Sequence, residues 1–530
     1  MGAKLLISTI GILLLVSGGS YAARILAIVP TVSRSHHIWN SALTVALARR
    51  GHQITAISPD PPMENNPNLK HIIIEGAYER VQEVFDLEGL VDESDIDALK
   101  VFWKWGLETC KQEIQTKGAK ELLRMPPDSF DLIITEVLVN ECFYLYLDHF
   151  GGGTRIPVVG ISAFGIAPWT DLATGARTMP SVFAFPTLPY LSKMNFWERM
   201  KNTFITGLEW IGMMYYYLPQ QQKIAEEAYG KPLPPLQEFA SNISLLLMNN
   251  HFALNGPQQQ LPGIVEVGAM QCSPPKPLPK DIQSFLDGAE QGAIFFSLGS
   301  NLRSENLPKE KLQIILDTFA ALGPKVRVVW KFDPKVPIKG LPSNVLLKKW
   351  LPQEDILGHP KILAFVSHSG LLSTLESIYH GKPVVSIPFF VDQLTNMRRM
   401  VEMKVAEYVN FVTITKESFT AKVLKVINDP SYRRNMQTLS NMLRDQPETP
   451  LDRAVFWVEF TLRHGKGGRV EALRYAGLDL AWYQYFSLDV LAVFAGVIMF
   501  AVLVVVFVIR ALCRCFVKPS HGKDSSKKRQ

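Results

Sequence analysis

The sequence predicts a parallel α/β protein built twice over, with one long apolar helix near the C-terminus. Three observations carry this expectation. Short apolar runs lead into polar turns and amphipathic helices from residue 24 and again from residue 293, the pattern of β-α-β units in a parallel sheet. Between the two series lies SPPKPLPK, residues 273–280, whose prolines remove backbone donors and favour extended chain, so it reads as a linker. Residues 488–509 are almost wholly apolar and long enough to cross a bilayer as a helix.

In chain order, residues 1–22 carry one early charge, Lys4, then an apolar run, then Ser20, Tyr21 and Ala22, the form of a secretory signal peptide. An N-terminal anchor is the alternative, and the run is short for one. Residues 24–29 read as a strand, residues 33–37 (SRSHH) as a polar turn, residues 38–50 as an amphipathic helix closed by Gly51, and residues 53–57 as the next strand. Residues 130–135 and 157–161 are later strands of the same sheet. Residues 183–217, rich in aromatics and Met, are expected as helices over an apolar cleft or at a membrane surface, with an ordinary helical insertion as the plain alternative. Asn242 opens the sequon Asn-Ile-Ser at the mouth of an apolar, strand-like run. The second series holds strands at 293–297, 326–331, 345–348, 362–366 and 383–388, with a helix at 371–380 stopped by Gly381. The expected parts are therefore an N-terminal domain at 23–272, the linker, a C-terminal domain at 281–465, a juxtamembrane segment at 466–487, the span at 488–509 and a tail at 510–530.

Charge supports this topology. Arg510, Arg514, Lys518, Lys523, Lys527, Lys528 and Arg529 face one acid, Asp524, an excess of six that equals the formal net charge of +6. The rest of the chain is balanced, so the basic residues mark a cytosolic tail and give no support for nucleic-acid binding. Trp482, Tyr483 and Tyr485 suit the membrane interface. Five cysteines are too few for a disulfide scaffold; Cys110, Cys142 and Cys272 allow at most one bridge on the lumenal side, while Cys513 and Cys515 are palmitoylated or plain tail thiols. Lys527 and Lys528 resemble the dilysine retrieval signal of endoplasmic-reticulum membrane proteins.

Residues 350–393 carry most of the chemistry. The strand at 362–366 meets the turn Ser367, His368, Ser369, Gly370 and then a helix, a place where backbone N–H groups and the helix dipole favour an anion. Glu376, inside that helix, suits a sugar diol instead of a phosphate. Taken singly, Trp350 reads as core, Glu376 as a solvated charge and Ser373 as a cap. Taken together, Trp-x-Pro-Gln at 350–353, His-x-Gly at 368–370, Ser-x-x-Glu at 373–376, the Pro-rich strand and the closing Asp392-Gln393 closely resemble the signature of the UDP-glycosyltransferases. The resemblance runs from about Arg24 to the C-terminus and is to the animal membrane-bound branch; SIYHG and IPFF are most like insect members.

That resemblance implies the GT-B architecture: two Rossmann-like domains facing across a cleft, plus the C-terminal transmembrane helix, with a helix near residues 453–463 bracing the N-terminal domain. It implies that Ser297, Leu298, Gly299 and Ser300 face His368, Gly370 and Ser373 across the UDP. Trp350 then stacks on uracil, Gln353 bonds to it, Glu376 accepts from the ribose, and Asp392 and Gln393 read the transferred sugar. On the acceptor side, spacing back from Arg50, Gly51 and His52, which resembles the family's Arg-Gly-His, selects His36 over His37 as general base. The family's partnering Asp is here Glu136, one methylene longer, with Glu141 a weaker substitute. Val391 and Ser369 stand where many members have smaller residues, and Val391 is expected to crowd the sugar site.

The implied reaction is inverting transfer of a hexosyl group, glucose ahead of glucuronate, from a UDP-sugar to a hydroxyl of small lipophilic acceptors. No metal and no bound cofactor are expected. Asp95-Ile96-Asp97 matches the Asp-x-Asp of metal-dependent transferases, but without a preceding strand it reads as a solvated helical face. Rival readings are a non-catalytic, membrane-anchored binder of UDP-sugar or lipophile, and an enzyme acting on polysaccharide or protein. The expected setting is the endoplasmic-reticulum membrane, single-pass type I with a lumenal body; homo- or hetero-oligomers stay open.

Overall fold

The structure, a computed structural model, describes residues 22–84, 94–300, 302, 304–333 and 338–516. Nearly all of the leader read at 1–22, and the Lys527, Lys528 ending, lie outside the described residues.

Apolar, β-branched runs that are buried on both faces favour parallel sheets, and the chain builds two. In the first, β1 (Arg24–Ile28), β2 (Gln53–Ser58), β3 (Leu69–Ile73), β4 (Leu132–Glu136), β5 (Val158–Ser162), β6 (Leu245–Met248) and β7 (Ile264–Glu266) lie in the order 3-2-1-4-5-6-7. In the second, β8 (Ala293–Ser297), β9 (Arg327–Lys331), β10 (Val345–Lys348), β11 (Ile362–Ser367), β12 (Val384–Ser386) and β13 (Ala406–Tyr408) lie in the order 10-9-8-11-12-13. Every pairing is parallel. Strand order reverses between β1 and β4 in one sheet and between β8 and β11 in the other. At such switch points the connections leave in opposite directions and open a crevice at the carboxyl ends of the strands, where doubly wound folds bind ligands. The residues that follow β1, β4, β8 and β11 are therefore the ones topology brings to the two crevices.

The segment 273–280 is extended between β7 and β8, held by its own backbone: the N–H of Ser273 bonds to Glu354 and that of Lys276 to Asp355 Oδ1 at 2.7 Å. The helix Pro450–His464 returns to the first sheet, packing Ala454, Val455 and Val458 into the core with Ile25, Leu43 and Leu47. Its Glu459 takes Arg50 at 2.6 Å and His52 at 3.3 Å, so the Arg-Gly-His stretch anchors the returning helix. Cys110 and Cys142 form a disulfide, with Cys272 free. A bridge across 32 residues stabilises the fold by about 3–4 kcal/mol through loss of unfolded-chain entropy.

Three local expectations change. The first helix runs Arg34–Arg49, not from residue 38, because Ser33 in extended conformation serves as its N-cap position; His36 and His37 belong to the first helical turn, not to a loop before it. Residues 183–193 are non-helical, and the helix Phe196–Gly212 after them leaves Phe196, Trp197, Met200 and Phe204 exposed. The apolar helix near the C-terminus runs Leu488–Phe516, past the expected end at 509, since backbone hydrogen bonding continues through Arg510 and Arg514; it is long and apolar enough to cross a membrane.

Candidate active site

The first crevice is charged. His36, in the first turn of its helix, places Nδ1 2.5 Å from Oε1 of Glu136, the last residue of β4; both are buried. With the proton on Nδ1 and donated to the carboxylate, Nε2 is left to accept. The extra methylene of Glu136 thus still brings a carboxylate onto the ring. His37 faces the other way, 3.2 Å from Ser41 Oγ, and burial lowers its pKa. Glu141 lies apart, buried and pushed up to about 8 by that burial. Phe164 meets the His36 ring edge-on at 5.0 Å.

The second crevice is mostly neutral. Ser297 and Ser367, the last residues of β8 and β11, each accept from the N–H two residues on, Gly299 at 3.2 Å and Ser369 at 3.1 Å, which tightens both turns alike. Ser300 follows in the first of these turns. The His368 ring lies between the turns: a Cβ on Gly299 would sit 2.5 Å from its Cε1, and one on Gly370 2.6 Å from its Nε2. Gly299 also has φ +87°, so both space and backbone demand glycine there. Burial, then the charge of Lys331, lowers His368 to about 4, leaving it neutral near pH 7, and its Nδ1 has no hydrogen-bond partner among the described residues.

Gly370 caps the helix Leu371–Tyr379. Not all its first-turn N–H groups are open to a ligand, as the sequence reading had it: that of Leu371 bonds to Asp392 Oδ2 at 3.2 Å. Asn396 also donates to Asp392, at 2.7 Å, yet burial raises Asp392 to about 6. His36 is near enough for an imidazolium to favour the ionised form of Asp392, so the two crevices share one electrostatic field. Gln353 Nε2 donates to Ser373 Oγ at 2.9 Å and to Glu376 Oε2 at 2.6 Å, gathering three signature residues. Burial pushes Glu376 up to about 7. Gln393 turns its Oε1 to the N–H groups of Phe389 (2.8 Å) and Phe390 (3.3 Å), shaping the loop behind Asp392.

Trp350 is 51% exposed, with Arg34 and Lys331 each 5.0 Å from its ring centre. These two cations escaped the sequence reading. Lys331 ends β9 beside the β8 turn and donates to the Gly299 carbonyl at 2.9 Å; strand-end position in a doubly wound sheet is the signal that could have found it. Arg34 reaches Trp350 from the other half while Asp60 holds it at 2.6 Å. Ser369 (φ +64°) and Val391 (φ +55°) are both left-handed, which is why smaller residues suit these positions. Asp95 and Asp97 lie in the first turn of a helix capped by Ser94 and pair with Lys201 and Lys100. Asn242 is half-buried, its Oδ1 bonded to Arg469 at 3.1 Å.

Comparison with known proteins identifies the family. The pattern described as "UDP-glucoronosyl and UDP-glucosyl transferase" matches residues 24–525. The chain belongs to this family. UDP-glucosyltransferase 2 of Dactylopius coccus is 33% identical to the transferase over 528 residues, covering 99% of this chain and 98% of that one. UDP-glucuronosyltransferase 2B1 of Rattus norvegicus is 32% identical over 519 residues, covering 93% and 94%. Among solved structures, the glycotransferase of kitacinnamycin overlays with a TM-score of 0.53 at 19% identity, covering 83% of the transferase and 99% of that chain. Phytolacca americana UGT2, complexed with UDP-2-fluoro-glucose and pterostilbene, overlays at 0.52 with 17% identity, covering 83% and 100%. The fold of the transferase is GT-B: two Rossmann-like sheets facing across a cleft, with one apolar helix toward the C-terminus.

Proposed function

We propose that the transferase moves a hexosyl group, glucose, from a UDP-sugar to a hydroxyl of small lipophilic acceptors with inversion at the anomeric carbon. The observation that carries this reading is the His36–Glu136 pair at the β1/β4 switch point. His36 Nε2 takes the acceptor proton as the acceptor oxygen bonds to the anomeric carbon from the side opposite UDP. The bond from that carbon to the phosphate oxygen breaks, and UDP leaves with the electron pair. Glu136 holds the productive tautomer and stabilises the imidazolium. Proton transfer of this kind supplies roughly 10²–10⁴-fold. No covalent intermediate is required.

On the donor side, the turns at Gly299–Ser300 and at His368, Gly370 and Ser373 hold the pyrophosphate, and Lys331 adds a positive charge where negative charge develops. Uracil stacks on Trp350 in place of one of its cations, with Gln353 at its edge. Ribose hydroxyls donate to Glu376, and Asp392 and Gln393 take the sugar. Glucose is preferred because a uronate beside the half-buried Asp392 would set two like charges together. The sugar rests otherwise on relatives whose names include both donors.

The same reading puts the body in the endoplasmic-reticulum lumen with the Leu488–Phe516 helix as its anchor. The Cys110–Cys142 bridge, at home in an oxidising compartment, supports it. A radiolabelled UDP-glucose and UDP-glucuronate assay on microsomes with mixed phenols tests the function. Labelled glucoside is the expected product. UDP binding with no product from either donor would make the protein a carrier instead.

A further inference from the structure

Arg399 is a cation of the cleft that the transfer chemistry leaves unused. It lies on the helix Gln393–Glu402, two turns beyond Asp392, and lines a small recess between the halves that is partly open to solvent. Phe164, Ile166, Phe183 and Leu371 form its apolar walls. The guanidinium donates from Nη1 to Asn255 Oδ1 at 2.6 Å, and among the described residues no carboxylate pairs with it. The acid in the same recess, Asp392, is committed to the Leu371 N–H and to Asn396. Asn250 Oδ1, on the recess wall and fully buried, has no hydrogen-bond partner among the described residues.

A half-buried guanidinium against apolar walls favours an anion that pairs with it directly. Burial pulls Arg399 down to about 10, while the charge of Asp392 in the same recess acts the other way. A carboxylate matches its planar fork of donors, two N–H groups to two oxygens. A free oxygen on Asn250 asks for a donor, as a hydroxyl supplies.

We propose that Arg399 is the carboxylate subsite of the acceptor site, so that the preferred acceptors are hydroxylated aromatic acids. The reacting hydroxyl sits at His36, the ring lies along Phe164 and Phe183, and the carboxylate pairs with Arg399. This rests on the transfer reading above and names its substrate class. A carboxylate could also arrive on the donor, as glucuronate. Arg399 favours the acceptor on two counts: its bond is to Asn255 of the N-terminal half, and seven helical residues put its backbone about 10 Å along the axis from that of Asp392.

The test uses the full-length protein in microsomes, 6-hydroxy-2-naphthoate against 2-naphthol as acceptors, and UDP-glucose against UDP-glucuronate as donors. The wild-type protein should prefer the acid by about tenfold or more in kcat/KM, as charge-assisted hydrogen bonds supply. In Arg399→Met that preference should vanish through a raised KM for the acid; in Arg399→Lys it should persist in part. UDP affinity of each variant reports on its fold, and if Arg399→Met loses UDP binding, Arg399→Lys carries the test. Equal losses on both naphthols overturn the subsite, and so does a loss confined to UDP-glucuronate, which would assign the guanidinium to the donor. Turnover of 2-naphthol without preference for its acid also overturns the subsite and leaves the reaction standing; no turnover of either overturns the reaction itself.

Discussion

The two crevices share a topology and differ in chemistry. Each sits where strand order reverses, and each has a histidine just beyond a strand end near the switch point. In the first, His36 is paired with a buried carboxylate that holds its tautomer. In the second, no acid among the described residues pairs with His368; it is pressed between two glycine-containing turns, lowered to about 4 and neutral. An acid partner makes a histidine a base, while close backbone and a neighbouring lysine make one a neutral donor beside an anion. On the proposed reading these surroundings divide the labour, with proton removal in one half and anion holding in the other.

The sharpest way to break this comparison is to remove the acid and keep its shape. Glu136→Gln should lower kcat by about 10²-fold or more, because the amide favours the wrong tautomer and cannot stabilise the imidazolium. Glu136→Asp should recover part of the loss. Equal kcat for Glu136→Gln and wild type would remove the acid from the mechanism.

A smaller effect sharpens the second crevice. Glu376 titrates at about 7 in the free protein, raised mainly by burial. With ribose hydroxyls donating to the ionised form, as proposed, donor binding lowers that pKa and releases a proton. UDP-glucose affinity should therefore be full above pH 7 and fall as pH drops below it, by up to about tenfold per unit. Titration calorimetry across pH 5.5–8.5, on the scale of the ordinary carboxylate and imidazole range, should show the fall in wild type and a flat profile in Glu376→Gln. A flat wild-type profile would take Glu376 out of the ribose site.

The smallest expected effect is on stability. Val391 is β-branched and holds φ +55°, a region costing an L-residue about 1–2 kcal/mol. Glycine relieves that strain and gives some of it back as unfolded-state entropy. Val391→Gly should raise stability by about 1 kcal/mol, read as a higher urea midpoint; an unchanged or lower midpoint would mean contacts of the valine offset its strain.

The sequence made some regions plain and hid others for physical reasons. Strands at 293–297 and 345–348 match the structure residue for residue, because each reads as an unbroken apolar run, the first buried throughout and the second a half-buried edge strand. β3 (LKHII), β7 (IVE) and β13 (AEY) went unread, being short or interrupted by charge. The first helical turn, RSHH, was taken for a loop because its polar residues face a crevice and break the amphipathic pattern. Arg34, Lys331 and Arg399 look like surface charges in one dimension; only the closing of two halves over them makes them cleft residues. The signature from Trp350 to Gln393 was legible because its spacing is set by one strand, one turn and one helix. The pairing of His36 with a carboxylate 100 positions away was reached only through resemblance.

The most direct test of the divided labour is to measure turnover and UDP affinity side by side on His36→Ala. At least ~100-fold loss of kcat, with UDP affinity within about twofold of wild type, is the predicted result. Near-normal turnover, or a parallel collapse of UDP binding, would contradict it.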